Sequence, residues 1–369
     1  MVGARRRTHH KSRFGCRNCK NRKVKCDETK PACLNCKKRQ EQCDFLIIDS
    51  PEPTLSASGL NMADLELLHN YTCITYRTLS ENATIREFYR TTVVQIGFSC
   101  DYIMRSILAV SSLHLAHHRP HMLDHHQSLA IVHHQAASRA ALPLIPDVTS
   151  ESGQTLFLFS VLTTYYALGL PRKSDNGLLL GDAGFPEWVY LLRGTKGFID
   201  VAGIPSDGPL APLFQHSIAR FMLRESPEAS NSPAHLPLTE LEEVVAHRSR
   251  DDSHLGEIYS CSLVELKKSF GQAWAHSTSP YEMTDAFIWV YLVAEDLLPL
   301  LRVPTQESVA IFAFFCVLLR RLDGHWWMQG WPQQLIARAY DLLDEEGRLW
   351  IHWAVEEMGW VPPPATERL

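Results

Sequence analysis

The sequence predicts three parts in series: a small metal-bound module, a linker and a large all-α body. Three observations predict them. Six of the ten cysteines fall at Cys16, Cys19, Cys26, Cys33, Cys36 and Cys43, spaced C-x2-C-x6-C-x6-C-x2-C-x6-C. Charge divides the chain: residues 1–45 hold 14 Lys and Arg against 4 Asp and Glu, a net of +10, and the remainder carries −15 of the overall −5 to balance it. From about residue 60 the sequence runs in long apolar stretches of helical period, with few of the alternating runs a half-buried strand needs.

The cysteine spacing specifies the metal. Paired C-x2-C motifs let two thiolates face one ion, the arrangement of tetrahedral structural zinc sites. Six sulfurs exceed what one zinc takes and fall short of two separate four-coordinate sites, whereas two zincs sharing two sulfurs use all of them. Two divalent ions against six thiolates leave a net −2, which the neighbouring Arg and Lys offset. A disulfide framework suits a secreted chain, but the basic run Arg5-Arg6-Arg7-Thr8-His9-His10-Lys11 is followed by no apolar signal segment. A metal-storage protein packs cysteine more densely and lacks the basic residues between.

Gly15 to Cys43, GCRNCKNRKVKCDETKPACLNCKKRQEQC, resembles the fungal Zn2Cys6 binuclear cluster in all six cysteines, the basic run after the second, Cys26-Asp27, and Lys30-Pro31 before the fourth. In that family the first and fourth cysteines bridge the two metals. Here these are Cys16 and Cys33, with Cys19 and Cys26 completing one zinc and Cys36 and Cys43 the other. The resemblance implies a DNA-binding module of fungal transcription regulators, hence two zinc ions per chain, double-stranded DNA as partner and the nucleus as location.

The charge asymmetry agrees, since a basic head on an acidic body is the electrostatic footprint of a nucleic-acid-binding segment. Phosphate contacts would supply most of the affinity and its salt dependence, and base contacts the sequence preference. Lys20 to Lys25 lie between Cys19 and Cys26, in a segment short enough for one or two helical turns. Relatives of the cluster place this helix end-on in the major groove, with the basic residues just after its middle on the bases. By position those are Arg22 and Lys23, able to read the O6 and N7 acceptors of guanine, consistent with the CGG-like triplets many relatives prefer. Arg17, Lys20, Lys25, Lys37, Lys38 and Arg39 are expected on phosphates. Residues 1–14 form a basic arm that reads as a nuclear-localisation segment or a phosphate grip.

The cluster domain spans residues 15–45, and residues 46–59, LIIDSPEPTLSASG, read as a linker. A dimerising coiled coil needs three or four heptads, and none fits there. Pairing, where it occurs, is therefore expected through the C-terminal domain. Residues 60–369 form the all-α regulatory domain. Helices are expected over Met62–Leu79, Tyr102–His118, Leu123–Leu142, Gln154–Leu170, Glu187–Val201, Leu255–Ala275, Tyr281–Leu301, Glu307–Leu322 and Gln333–Glu357, with long loops at Pro171–Gly184 and Arg224–Pro237. Val309 to Leu319 has no polar side chain apart from Cys316 and is too short to span a bilayer, so it belongs in the core or along an apolar cavity. Phe157 to Tyr166 is a second candidate wall for an apolar ligand.

Leu65 to His69 with Thr78-Leu79, Gly97-Phe98-Ser99, Ile107 to Ala116, and Leu192-Arg193-Gly194 resemble the regulatory domain of the sterol uptake control proteins. There a helical domain binds a sterol, and the ligand state governs nuclear entry and activation. Many proteins sharing the domain instead control one metabolic gene cluster. The combined resemblance implies a fungal sequence-specific transcription factor of RNA polymerase II genes, regulating a metabolic (secondary-metabolite biosynthetic) gene cluster, with sterol-sensing control of sterol genes as the alternative.

The remaining chemistry-bearing residues point elsewhere than catalysis. Eight histidines between His114 and His134 sit around Pro120, on two expected helices, and suit packing or surface roles. Cys73, Cys100, Cys261 and Cys316 are isolated and expected to be buried and reduced. No Walker, G-x-G-x-x-G, H-E-x-x-H or G-x-S-x-G motif occurs, so no enzyme is expected. The acidic, leucine-bearing stretches Glu295–Leu298 and Leu342–Glu346 are candidate coactivator contacts.

Overall fold

A computed structural model describes residues 15–29, 32–39, 41, 43, 61–170, 203, 205, 207–225, 232–275 and 280–362. The basic arm, the linker, the loop at 171–184, the helix at 187–201 and the Leu192-Arg193-Gly194 match lie outside them. The chain divides into two units, residues 1–62 and 63–369. Among the described residues every regular element is helical.

In the first unit α1 (Arg17–Asn21) and α2 (Leu34–Lys38) are single turns. In the second unit α3 (Met62–Cys73) leads through a 3-10 turn at Thr75–Thr78 into α4 (Ala83–Glu87). A π-turn at Phe88–Thr92 joins α4 to α5 (Val93–Ser99). Then come α6 (Asp101–His118), α7 (Leu123–Ala141) and α8 (Ser150–Gly169). The second half comprises α9 (Ala211–Arg224), α10 (His235–Arg248), α11 (Ser253–Trp274), α12 (Met283–Leu292), α13 (Leu297–Arg302), α14 (Gln306–Arg320), α15 (Trp331–Leu342), α16 (Glu345–Trp350) and α17 (His352–Met358).

Two helices are buried on all sides, and the rest are arranged around them. α14 buries every residue from Ser308 to Leu319, which places it in the core. It packs on α15, α11 and α17, with Phe315 stacked on Trp289 and Phe314 on Trp353. Its start is fixed by a reciprocal cap in which Thr305 Oγ1 accepts from Ser308 N–H (3.1 Å) and Thr305 N–H donates to Ser308 Oγ (3.2 Å). α6 is the second such helix, enclosed chiefly by α7, α8 and α5.

Buried polar groups on α6 are satisfied by its neighbours, as the cost of an unpaired one requires. Ser111 Oγ donates to Leu67 O (2.7 Å), Asn70 Nδ2 donates to Ser111 Oγ and Thr75 Oγ1, and Ser112 Oγ donates to His126 O. The histidines serve packing. His114 Nδ1 meets Thr75 Oγ1 at 2.9 Å, His134 stacks on Tyr166, and His133 Nε2 lies 3.2 Å from Asp64. Burial lowers the pKa of both His114 and His134 to about 4, which keeps them neutral near pH 7. Pro120 starts the tight 3-10 turn between α6 and α7.

Three indoles tie the two halves of the second unit. Trp326 Nε1 donates to Thr78 Oγ1 (2.8 Å), Trp327 Nε1 to Thr78 O (3.0 Å) and Trp331 Nε1 to Leu168 O (2.7 Å). Within the second half a buried cluster fixes three helices: Arg220 of α9 pairs with Asp285 of α12, which also accepts from Gln272 of α11 and from Glu282 N–H.

The structure corrects several expectations. Helices α4–α5 and α9 fill stretches to which no element had been assigned, and α10 begins at His235, inside the loop expected to reach Pro237. The run expected over 281–301 breaks after Leu292, which puts Pro299 in the first turn of α13, where its missing N–H leaves no bond unmade. The run over 333–357 breaks at Leu343-Asp344. There the Gln306 amide donates to Leu342 O (3.2 Å) and accepts from Asp344 N–H (2.9 Å), in place of helical bonds. Of the isolated cysteines only Cys316 is buried, Cys73 and Cys261 being exposed and Cys100 half-buried. In the acidic stretches Leu297, Leu298 and Leu343 face the core, so only the carboxylates are presented outward. No helix among the described residues is long and apolar enough to cross a membrane.

Gly169, the last residue of α8, lies under the Trp326 ring, and a Cβ there would come within 2.6 Å of it. Gly169→Ala should displace the indole that binds Thr78 and lower stability by about 1–3 kcal/mol, read as a drop in urea midpoint. An unchanged midpoint would show that Trp326 is not a fixed tie.

Candidate metal centre and nucleic-acid interface

The first unit has almost nothing to fold around. Among its described residues the buried side chains are those of the six cysteines and Ala32. The sulfurs form two sets of four, each within 4.8 Å of one another: Cys16, Cys19, Cys26 and Cys33, then Cys16, Cys33, Cys36 and Cys43. The sets share Cys16 and Cys33. Sulfur separations are 3.6 Å for Cys16–Cys33, 3.6 Å for Cys19–Cys33 and 3.8 Å for Cys16–Cys36. A tetrahedron with metal–sulfur bonds of about 2.3 Å sets its sulfurs about 3.8 Å apart, so the donor set fits zinc. Burial pushes the Cys16 thiol well up and the Cys19 thiol to about 12, whereas at Cys33 the hydrogen bonds from Cys36 and the neighbouring thiols outweigh burial and bring it down to about 6.

Local sequence sets these sulfurs twice over. Cys16 caps α1 by accepting from Cys19 N–H, and Cys33 caps α2 by accepting from Cys36 N–H, both at 3.4 Å. Each first cysteine thus serves as helix cap and donor, and the 17-residue step between Cys16 and Cys33 makes the halves equivalent. Lys20 N–H bonds Cys16 O as Lys37 N–H bonds Cys33 O, and Val24 N–H bonds Cys19 O as Glu41 N–H bonds Cys36 O. The symmetric C-x2-C-x6-C spacing was the available signal for this internal repeat. Side chains lock the halves together: Asp27 Oδ1 accepts from Leu34 N–H (3.1 Å) and Asn35 Nδ2 donates to Lys25 O (2.8 Å).

The basic residues are divided by this geometry. α1 spans Arg17–Asn21, so it starts before Cys19 and ends before the basic segment is complete, where a helix over 20–25 was expected. It closes in a Schellman motif, Val24 N–H to Cys19 O and Lys23 N–H to Lys20 O, both 3.1 Å, which holds Lys23 at φ +55°. Arg17, Lys20, Lys23 and Lys25 are exposed, as are Lys37, Lys38 and Arg39. Arg22, expected beside Lys23 on the bases, is instead folded onto the cluster. Its Nε donates to Asn18 O (3.0 Å), one terminal nitrogen donates to Cys36 Sγ (3.5 Å), and the other pairs with Glu41 (2.6 Å). A guanidinium is drawn there by thiolate charge and reaches from one half of the repeat to the other.

Comparison with known proteins places this geometry. Residues 14–50 match the fungal Zn(2)-Cys(6) binuclear cluster domain, and residues 66–231 match the fungal specific transcription factor domain. The chain is thus similar to the Zn(2)-C6 fungal-type transcription factors in both of its units. It is 26% identical over 432 residues to a Zn(2)-C6 fungal-type transcription factor of Gibberella zeae, covering 94% of this chain and 85% of that one. It is 25% identical over 218 residues to the Zn(2)-C6 fungal-type transcription factor afumD of Aspergillus fumigatus, covering 53% and 56%. This zinc-cluster regulator binds two zinc ions and DNA, and it is no enzyme.

Two substitutions separate scaffold from readout. Lys23→Gly suits the left-handed φ, so it should retain both zincs while costing about 1–3 kcal/mol at one or two base pairs. Arg22→Ala should speed zinc loss to a chelator and weaken every DNA sequence alike. Intact metal retention with altered base preference in Arg22→Ala would assign base reading to Arg22 instead.

Proposed function

We propose that the chain is a nuclear, sequence-specific regulator of RNA polymerase II transcription that grips CGG-like triplets through its two-zinc module and controls a metabolic, secondary-metabolite gene cluster. Residues 15–45 are the DNA-binding domain, 46–59 the linker and 60–369 the regulatory domain. Cys16, Cys19, Cys26 and Cys33 hold one zinc, and Cys16, Cys33, Cys36 and Cys43 the other, so that Cys16 and Cys33 bridge. The observation that carries this reading is the pair of sulfur sets sharing two members beside an exposed basic surface.

Lys23 reads bases from the end of α1, while Arg17, Lys20 and Lys25 contact phosphates, joined by Lys37, Lys38 and Arg39 of the second half. Arg22 holds the two halves in register. The basic arm serves nuclear entry, phosphate contact, or both, and pairing runs through the regulatory domain. Sterol sensing gains no support from the cavity beside Phe157, Val161 and Tyr165: it encloses about 120 Å³, against roughly 300–1,000 Å³ for drug-sized ligands, and α14 does not line it.

Two measurements test the proposal. Cys16→Ala or Cys33→Ala should lose both zincs and unfold the module, whereas Cys43→Ala should chiefly weaken one site, as elemental analysis of purified protein would read. A single zinc in DNA-binding protein would sink the bridged assignment. Genome-wide mapping of bound promoters should return one set of neighbouring biosynthetic genes, and scattered sterol-synthesis promoters would reverse the choice of pathway.

A further inference from the structure

The end of α1 carries one side chain that neither metal nor phosphate explains. Val24 lies between Lys23 and Lys25 and is 44% exposed. Among the described residues of 15–43 the one other large apolar side chain left in solvent is Leu34, on α2. Single exposed apolar residues are common on protein surfaces, so exposure alone assigns Val24 nothing. Its setting does. Both sequence neighbours are exposed cations, and the phosphate charge that attracts them brings Val24 onto the nucleic acid as well. Its backbone is held before any DNA arrives. Val24 N–H donates to Cys19 O at 3.1 Å, and the next carbonyl, Lys25 O, accepts from Asn35 Nδ2 at 2.8 Å. A β-branched side chain adds little freedom of its own, because χ1 is restricted, so fixing it against a ligand costs little entropy.

Chemistry narrows what such a side chain can meet. The major groove is edged with hydrogen-bond donors and acceptors, and its one apolar group is the thymine C5-methyl. Valine offers no donor or acceptor, so pressing it against the polar edge of guanine, adenine or cytosine strips water without replacing its hydrogen bonds. Against a methyl group it loses nothing and removes apolar surface from water. Reach agrees, since consecutive Cα atoms lie about 3.8 Å apart and successive base pairs about 3.4 Å. We propose that Val24 reads a thymine methyl group beside the base pair that Lys23 contacts, which adds a thymine preference at the edge of the triplet. The proposal rests on the reading that Lys23 meets bases in the major groove. 5-Methylcytosine carries its methyl at the same ring position, so Val24 favours it over cytosine.

The test uses the full chain and a site selected from oligonucleotides randomised within and beside the triplet. Each thymine of that site is replaced in turn by deoxyuridine, which removes the methyl group and leaves base pairing and the hydrogen-bonding edge unchanged. At one position, adjoining the triplet, the replacement should weaken wild-type binding about fourfold, the effect of burying about one methyl-sized group. Val24→Ser should bind thymine and deoxyuridine there equally, with zinc content unchanged by elemental analysis. Leu34→Ala, at the other exposed apolar residue, should keep the difference. With cytosine at that position, 5-methylation should tighten wild-type binding and leave Val24→Ser unmoved. Wild-type affinity indifferent to every methyl group, a thymine–deoxyuridine difference that survives Val24→Ser, or one that disappears in Leu34→Ala would overturn the proposal and leave the role of Lys23 standing. A guanine preference that survives Lys23→Gly would overturn the reading of Lys23, and the placement of Val24 with it.

Discussion

Sulfur coordination is the constraint on which the DNA-binding unit depends, because its described residues bury six cysteines, one alanine and no larger apolar side chain. A segment of that composition cannot offset its chain entropy by removing apolar surface from water, so metal binding is its folding energy. The rest of the module follows. The cysteines that hold metal also cap both short helices, the cap positions fix where those helices end, and the end of α1 fixes the left-handed Lys23. Charge follows too: Arg22 turns inward because thiolates lie there, and the exposed cations remain for nucleic acid.

The second unit is organised on the opposite principle. α14 is apolar on nearly every face and α6 is buried along most of its length, so the surrounding helices are recruited by burial. Burial has no directional preference, and orientation is supplied by buried polar groups. Trp326, Trp327 and Trp331 donate into carbonyl or hydroxyl positions fixed in the first half, and Asp285 collects donors from α9, α11 and α12. Each such bond contributes about 1 kcal/mol when made and costs more than that when its partner is lost, which favours one arrangement of helices over its near neighbours.

Much of this was legible in the sequence because it rests on local spacing. The six sulfurs and the extents of α6, α7, α8, α11 and α14 follow from motif and periodicity to within a few residues. What was not legible depends on distant partners or on misleading local signals. Thr91-Thr92-Val93-Val94 lowers helix propensity within the α4–α5 run, and Pro212 and Pro237 sit in the first turns of α9 and α10, where proline costs nothing but resembles a loop. The break before Asp344 depends on Gln306, and no window of local sequence contains both. The contacts of Arg22 were not legible for a similar reason. Its position among basic residues suggests DNA, while its partners Cys36 and Glu41 lie in the other half of the repeat.

Charge and specificity together constrain how such a regulator selects a promoter. A body of net −15 is repelled by phosphate on balance, so the +10 head is the source of net electrostatic attraction to DNA. Discrimination has a separate limit. A triplet read at about 1–3 kcal/mol per base pair supplies roughly 3–9 kcal/mol, while overcoming about 10⁶–10⁹ competing sites requires roughly 8–12 kcal/mol. One head on one triplet therefore falls short over most of that range, and two heads on paired triplets reach it. Residues 46–59 hold no heptads that would pair two heads through a coiled coil. Whatever holds two such heads together would set promoter choice without touching a base-reading residue, because the second triplet counts only while both heads are held.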